Sequence, residues 1–375
     1  MANLFFLLIR SPLKSLLFTY TFLTQCLFAV ARRILLPQLP AFQSLRILFH
    51  RAYLSSCSMH YPELVHRLPI SASPARAQKV EGKTWTGYII PGTSDLESIA
   101  NGESHGQSEA GSRTCVVLFA HGGGYARGEA RMYLRYMERW IRFAREKKGM
   151  DLVFVTVEYP LTTKAAHPAQ LESMLGAYRY LLDLGISPSR ITFMGDSAGG
   201  GLMVLTGLKL LELGLPQPAG SVLVSPWLDL ALDAFRSGNA SVETDYVVTG
   251  NTILPLFADM FLRGTGLKGS DPEINPLRRK PSELRGLHRQ LIFVGSAEVV
   301  TQEGKRWADV CEAADIENKL VIEPGQLHVY AMGSSWIDPG VRNKTDGIIV
   351  DWIWDCCFRD VSNSTRTVGS VGMNA

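Results

Sequence analysis

Cysteine is scarce in this chain. The six thiols (Cys26, Cys57, Cys115, Cys311, Cys356 and Cys357) are too few for a disulfide scaffold in 375 residues. None has C-x-x-C spacing, so they read mostly as core thiols, and no metal site or other cofactor is implied. An excess of one charge is missing as well: 38 Lys and Arg against 35 Asp and Glu leave a net charge of +3. No basic run with interleaved aromatics occurs, which removes the electrostatic footprint expected of a nucleic-acid binder. There is no internal repeat. Nucleotide-binding loops are absent too, since neither G-x-x-x-x-G-K-[ST] nor G-x-G-x-x-G occurs around the glycine cluster that follows residue 121. What remains is a chain with 46% hydrophobic residues, ordinary for a globular protein with a sizeable core.

Long apolar runs are also rare, with one exception at the N-terminus. Ser15 to Ala31 carries no charge and is bracketed by Lys14 on one side and Arg32 with Arg33 on the other. As a helix it would extend about 26 Å, near the hydrocarbon thickness of a thin endoplasmic-reticulum bilayer. Three readings compete for it: a single-pass membrane anchor within residues 1–40, an apolar helix capping the domain, or a signal peptide cleaved at Ala29-Val30-Ala31. Arg32, Arg33, Arg46 and Arg51 outnumber Arg10 and Lys14, which favours a cytoplasmic main domain. The glycosylation triplets at Asn239, Asn343 and Asn363 point to the opposite side.

After Pro37 and Pro40, Lys83 to Ile90 alternates like a strand, and residues 92–113 form a polar insertion rich in Gly, Ser and Glu. Short β-branched runs then alternate with helical patterns. The runs are 114–120, 152–157, 191–194, 221–224, 291–294 and 319–322; the helices are 133–147, 168–184, 198–213 and 302–314. Unalternating strands joined by helices predict an α/β fold with a mostly parallel sheet covered on both faces, as one domain over residues 50–358. The segment from Asp229 to Arg279 interrupts this rhythm, with 245–249 as a loop and 252–262 as a short helix. It reads as an excursion over the carboxyl edge of the sheet, where ligands bind in such folds. The polar stretch 359–375 reads as a disordered tail.

Two glycine clusters end predicted strands. The second, Gly195-Asp196-Ser197-Ala198-Gly199, fits G-x-S-x-G between a strand and a helix. There a serine sits on a sharp, strained turn, and the flanking glycines remove side chains that would collide. A serine hydroxyl needs a base, and the base needs a carboxylate to fix its tautomer. Of the eight histidines, His50, His60 and His66 lie in the N-terminal region, His105 in the polar insertion, His288 before a strand, and His167 at the start of a helix. Only His328 follows the last predicted strand, through a turn with Pro324 and Gly325. Glu298, at the end of the penultimate strand, is the expected acid. Glu303 is the neighbouring alternative for that acid, expected one turn into the next helix and facing solvent.

The first cluster is His121-Gly122-Gly123-Gly124. Bare backbone here suits N–H groups that approach a developing oxyanion, so Gly122, Gly123, Gly124 and Ala198 form the expected oxyanion hole. His121, Gly195, Asp196 and Gly199 would support the two loops. Phe257, Met260, Phe261 and Trp227 are candidates for a pocket lining, with core packing as the competing role.

Taken in order, His121 to Gly124, residues 157–182, Gly195 to Gly200, the "SPWLDL" stretch 225–230, Glu298 and His328 resemble the hormone-sensitive-lipase family of α/β-hydrolases over about residues 80–358. The resemblance implies a cofactor-free serine carboxylesterase or lipase, with a cap built partly from the N-terminal segment. Two departures stand out. The family usually has aspartate where Glu298 stands, and its Y-R-L-A-P-E segment is here Tyr159 to Lys164. The apolar leader before such a core also resembles hydrolases of fungal natural-product pathways, which implies a lipophilic ester or lactone as substrate. Three other readings use the same residues: an acyltransferase, a biosynthetic cyclase or lyase, and a non-catalytic binding protein.

Overall fold

In the computed structural model, residues 9–37, 43–61, 76–92, 96, 113–236, 245–248 and 253–368 are described. The expected runs become strands β2 (Thr86–Ile90), β3 (Thr114–Ala120), β4 (Asp151–Val157), β5 (Ile191–Asp196), β6 (Gly220–Val224), β7 (Gln290–Gly295) and β8 (Asn318–Glu323). A further strand, β1 (Gln78–Glu81), has no counterpart in the sequence reading: its four residues, Gln-Lys-Val-Glu, are an edge strand with charge on it. The strands pair in the order β1-β2-β4-β3-β5-β6-β7-β8. β1 and β2 run antiparallel at one edge, and from β4 onward every pairing is parallel.

Because β3 to β7 are buried on both faces, their side chains divide between two cores. Val116, Leu118 and Ala120 face one core, and Cys115, Val117 and Phe119 face the other. The first core is closed by α4 (Ala169–Asp183), α5 (Ala198–Glu212) and α8 (Thr301–Ala313), the second by α3 (Leu134–Lys148) and α9 (Pro339–Val368). On α3 the buried residues Leu134, Met137, Trp140 and Ala144 fall on one stripe, and the helix ends where Gly149 takes a left-handed φ of 59°. Asp346 of α9 accepts bonds from Arg139 Nε (2.9 Å) and Trp140 Nε1 (2.7 Å), which fixes the two helices to each other.

The chain leaves β3 toward β4 on one side, and β5 lies on the other. That reversal opens a crevice beyond the carboxyl ends of β3 and β5, where both glycine clusters begin. Over it lie the turn Tyr246–Val248 and the short helix α7 (Ile253–Leu262), which with the preceding α6 (Asp233–Arg236) come from the expected excursion.

At the N-terminus α1 (Pro12–Leu35) and α2 (Leu45–His60) form a hairpin. Phe18, Cys57 and Tyr61 bury a small cluster between them, and Ser15 Oγ meets the Tyr61 hydroxyl at 2.7 Å. α2 docks on the domain: the Gln43 amide donates to Gly325 O (2.6 Å), Arg46 to Ser335 O (2.6 Å), and His50 stacks on Trp336. α1 is long and apolar enough to cross a membrane.

Most of the polar insertion lies outside the described residues, as does Asn239. Asn343 is exposed on α9 while Thr345 of the same triplet is buried. The expected tail begins at 359, yet α9 continues to Val368: nothing in Val-Ser-Asn-Ser-Thr-Arg-Thr-Val breaks a helix before Gly369. Asn363 lies on this extension, and its side chain is not among the described ones.

Candidate active site

The turn between β5 and α5 is built as its glycines require. A Cβ on Gly199 would fall on the carbonyl of Ala120, and one on Gly195 would meet Gly199 O at 2.5 Å. Ser197 itself has φ 51°, a left-handed conformation that a non-glycine residue holds only under constraint. The constraint is visible: Ser197 N donates to Val224 O (2.9 Å), and Ser197 O accepts from Trp227 N (2.9 Å) and Gly201 N (3.0 Å). Ser197 is only partly buried in a turn whose neighbours are buried, so its hydroxyl is presented to the crevice.

His328 follows β8 and lies beside that hydroxyl, with Nε2 at 3.0 Å from Ser197 Oγ. Its Nδ1 is 2.8 Å from Glu298 Oε2. Glu298, fully buried in the turn after β7, accepts with Oε1 from Gly295 N (2.7 Å) and Ser225 Oγ (3.0 Å). Burial pushes the Glu298 carboxyl up, against the bond to His328. Burial acts to lower the imidazole, but its bond to Glu298 and the charges of Glu298, Asp245 and Asp196 outweigh that, and His328 is raised.

The glycine loop after β3 is sorted by Asp196. Gly122 N donates to Asp196 Oδ1 (2.8 Å), so this N–H is already engaged and does not belong to an oxyanion site as expected. The other Asp196 oxygen accepts from the Tyr133 hydroxyl (2.7 Å), and burial raises this carboxyl to about 6. Gly123 and Gly124 follow with φ of 114° and 61°. A Cβ on Gly124 would overlap the Phe257 ring. Among the described residues no acceptor engages the N–H of Gly123, Gly124 or Ala198. His121 turns away from the crevice: fully buried, it stacks on Tyr159 at 4.3 Å, and Tyr159 donates to His121 O (2.6 Å). Burial lowers its pKa to about 4, so it is neutral.

Glu303 departs from expectation. It does not face solvent; it is 4% exposed and accepts from Leu228 N (2.7 Å) and Asp229 N (3.0 Å). The reason is tertiary, because the loop after β6 folds over the first turn of α8. Of the pocket candidates, Phe257 lines the crevice, whereas Phe261 and Trp227 pack on Tyr125 in the core. Met260 packs against that core as well. Three further residues stand beside Glu298 and His328. Ser225 bridges Glu298 and the His328 loop, donating to the carboxylate and accepting from Val329 N (3.0 Å). Asp245 accepts from Val299 N (2.8 Å), next to Glu298. Tyr246 sets its ring edge-on to His328 and donates to His328 O (3.4 Å). Ser225 opens the SPWLDL stretch, whereas Asp245 and Tyr246 belong to no pattern of their own.

The crevice holds about 690 Å³ of empty space, part of it open to solvent. Its walls are Gly123, Gly124, Ser197 and His328 on the sheet side and Val247, Ile253, Leu254 and Phe257 on the other, with Ser58 of α2 at the rim.

Comparison with known proteins agrees with this architecture. Residues 117–332 match a family model described as alpha/beta hydrolase fold. An acetyl-hydrolase of Streptomyces hygroscopicus is 31% identical over 215 residues, which is 57% of this chain and 68% of that protein. The esterase LipU of Mycobacterium tuberculosis is 29% identical over 236 residues, 61% of this chain and 74% of the relative. Among solved structures, the hormone-sensitive-lipase homologue EstE7 from a metagenome library superposes with a TM-score of 0.62 at 25% identity, covering 82% of this chain and 92% of its own. With the fold, the two glycine turns and these relatives in agreement, the chain belongs to the hormone-sensitive-lipase-like family of α/β-hydrolases.

Proposed function

We propose that this protein is a serine hydrolase of carboxylic esters, acting through Ser197, His328 and Glu298. The observation that carries this reading is the unbroken relay from Ser197 Oγ to His328 Nε2 at 3.0 Å and from His328 Nδ1 to Glu298 Oε2 at 2.8 Å. His328 takes the serine proton as Oγ attacks the ester carbonyl, and the ion pair with Glu298 stabilises the imidazolium that forms. Charge builds on the carbonyl oxygen, which the free N–H groups of Gly123, Gly124 and Ala198 receive. One such donor is worth about 2.7–4 kcal/mol of barrier. His328 then returns its proton to the departing alcohol, and water cleaves the acyl-enzyme by the same steps in reverse. Glutamate in place of the family's aspartate keeps this logic, because its carboxylate reaches His328 with both oxygens satisfied.

The substrate in this reading is a lipophilic small-molecule ester or lactone. The apolar wall of Val247, Ile253, Leu254 and Phe257 supports it, as do the names acetyl-hydrolase and esterase carried by relatives. The apolar face of α1 adds a membrane as the second partner. The test is labelling with a fluorophosphonate, together with turnover of short and medium p-nitrophenyl esters. Both are expected in the wild type and lost in Ser197→Ala and His328→Ala. A folded wild type that neither labels nor turns over would defeat the reading.

A further inference from the structure

The two faces of α1 differ. Its inward face runs the length of the helix: Ser15 and Phe18 meet Tyr61, Phe22 meets Tyr53, Thr21 Oγ1 is 3.0 Å from His60 Nε2, and Arg33 donates to the carbonyl of Gln43. Its outward face is a stripe at helical spacing. Leu13, Leu16, Tyr20, Leu23, Leu27 and Ile34 are each more than half exposed. The partner helix α2 is polar by comparison, with Arg46, His50, Arg51, Ser55, Ser56 and Ser58, and it is tied to the core through Gly325, Ser335 and Trp336. Residues 1–62 contain six Lys or Arg and no Asp or Glu.

We propose that α1 lies in the plane of a membrane surface carrying anionic lipid, its outward stripe in the acyl layer and its inward face on α2, without crossing the bilayer. The inference rests on the membrane part of the reading above and replaces a single-pass anchor by an interfacial helix. If α1 stood across the bilayer with its packing intact, α2 would enter the hydrocarbon alongside it, taking two arginines, His50 and several hydroxyls where no water can solvate them. The alternative, peeling α1 from α2, would expose Phe18, Cys57 and Tyr61 and break the contacts of Ser15, Thr21 and Phe22 with Tyr61, His60 and Tyr53. Lying flat preserves all of them. It also satisfies the outward stripe, and the exposed Arg10, Lys14 and Arg32 match the negative headgroup layer. Because Ser58 of α2 lines the crevice, one residue of its wall belongs to the helix on which the lipid-bound α1 packs.

The full chain, tagged at both ends, is expressed in cells and its sealed vesicles are treated with protease. Both tags are expected on the same side, both cleaved or both protected. In flotation, purified full chain is expected to bind phosphatidylcholine vesicles containing phosphatidylserine, to bind pure phosphatidylcholine less, and to lose about tenfold or more of its binding in the double variant Leu16→Glu, Leu27→Glu. Tags on opposite sides overturn the proposal in favour of a spanning helix. Loss of the N-terminal tag overturns it in favour of a cleaved leader, and failure to float overturns it in favour of a soluble cap. Hydrolysis of a water-soluble ester by the same preparations is read separately, so an inactive enzyme with both tags on one side counts against the esterase reading alone.

Discussion

Glu298 and Glu303 stand five residues apart, in the turn after β7 and in the first turn of α8, and both are buried. Burial raises both carboxyls, Glu303 to about 8. Each is held by the fold: Glu298 by Gly295 N and Ser225 Oγ, Glu303 by Leu228 N and Asp229 N. What separates them is the remaining neighbour. Glu298 turns its second oxygen to an imidazole that gains and loses a proton, whereas Glu303 meets backbone donors that never change. A buried, perturbed carboxylate is therefore not by itself a sign of catalysis. In the proposed reaction Glu298 acts on a charge that appears, and Glu303 holds one loop to one helix.

The largest expected effect tests the first half of that contrast. Glu298→Gln keeps the shape and removes the charge that fixes the His328 tautomer and stabilises imidazolium. Turnover of a p-nitrophenyl ester should fall by about 10³–10⁴-fold while the melting temperature moves little. The pH profile carries a second signature. In the proposed reaction neutral His328 is the active form, so activity should rise with pH through the His328 pKa, which in the wild type is raised above 6.5. Without the carboxylate the lowering effect of burial dominates, and the acid limb of the residual activity should move to lower pH. A limb that stays in place would detach Glu298 from His328.

The mirror experiment is Glu303→Ala. It leaves the N–H groups of Leu228 and Asp229 without their acceptor, and each buried orphan donor costs about 1–3 kcal/mol. Urea unfolding should show the sum of these losses. Turnover of the folded fraction should remain within about tenfold of wild type, because the change is one of geometry at a distance from the reacting atoms. A loss of turnover as deep as that of Glu298→Gln, with stability intact, would reverse the two assignments.

This pair also shows what the sequence could disclose. The sheet, both glycine turns and the places from which Ser197, Glu298 and His328 meet were legible because each follows from a local rule: buried strands do not alternate, a sharp strand-to-helix turn needs glycines, and the proposed acid and base follow the ends of successive strands. Glu303 was misread because helix position alone assigns it outward, and the loop that covers it comes from residues 228 and 229, about 75 positions earlier. The same limit applied to Gly122. Three consecutive glycines look equivalent in a sequence, and only the Asp196 carboxylate, reaching one N–H and not the next two, tells them apart. Ser225 stood in the 225–230 stretch without a role, and Asp245 and Tyr246 carried no pattern, since a polar residue in a loop gains its meaning from what folds against it.

Ser225→Ala sharpens the comparison from the Glu298 side. The hydroxyl donates to Glu298 Oε1 and accepts from Val329 N, so its loss weakens the acid's second support and orphans one donor in the loop that carries His328. A stability loss of about 1–3 kcal/mol is expected from the orphaned donor. Turnover should fall as well, by far less than in Glu298→Gln, since Gly295 N still holds the carboxylate. Unchanged turnover, measured beside unfolding midpoints, would mean that Oε2 alone orients His328.

The smallest effect is expected from Glu303→Gln at pH 5, and the informative quantity is how it changes with pH. The amide oxygen of glutamine can accept the same two N–H bonds, so the loop stays tied to α8. In the wild type, burial and the nearby Asp229 charge raise the Glu303 carboxyl from an ordinary 4.5 to about 8. Between those values the folded chain binds more protons than the unfolded one, so the Glu303 contribution makes wild-type stability fall as pH rises through this window. Glutamine does not titrate and removes that slope. The variant should therefore gain on the wild type steadily between pH 5 and pH 8, and the difference should level off above pH 8. Urea unfolding at pH 5, 6.5, 8 and 9 measures it directly. A difference that is constant across all four values would mean that Glu303 is charged in the fold like any surface glutamate, and the contrast with Glu298 would then rest on hydrogen-bond partners alone.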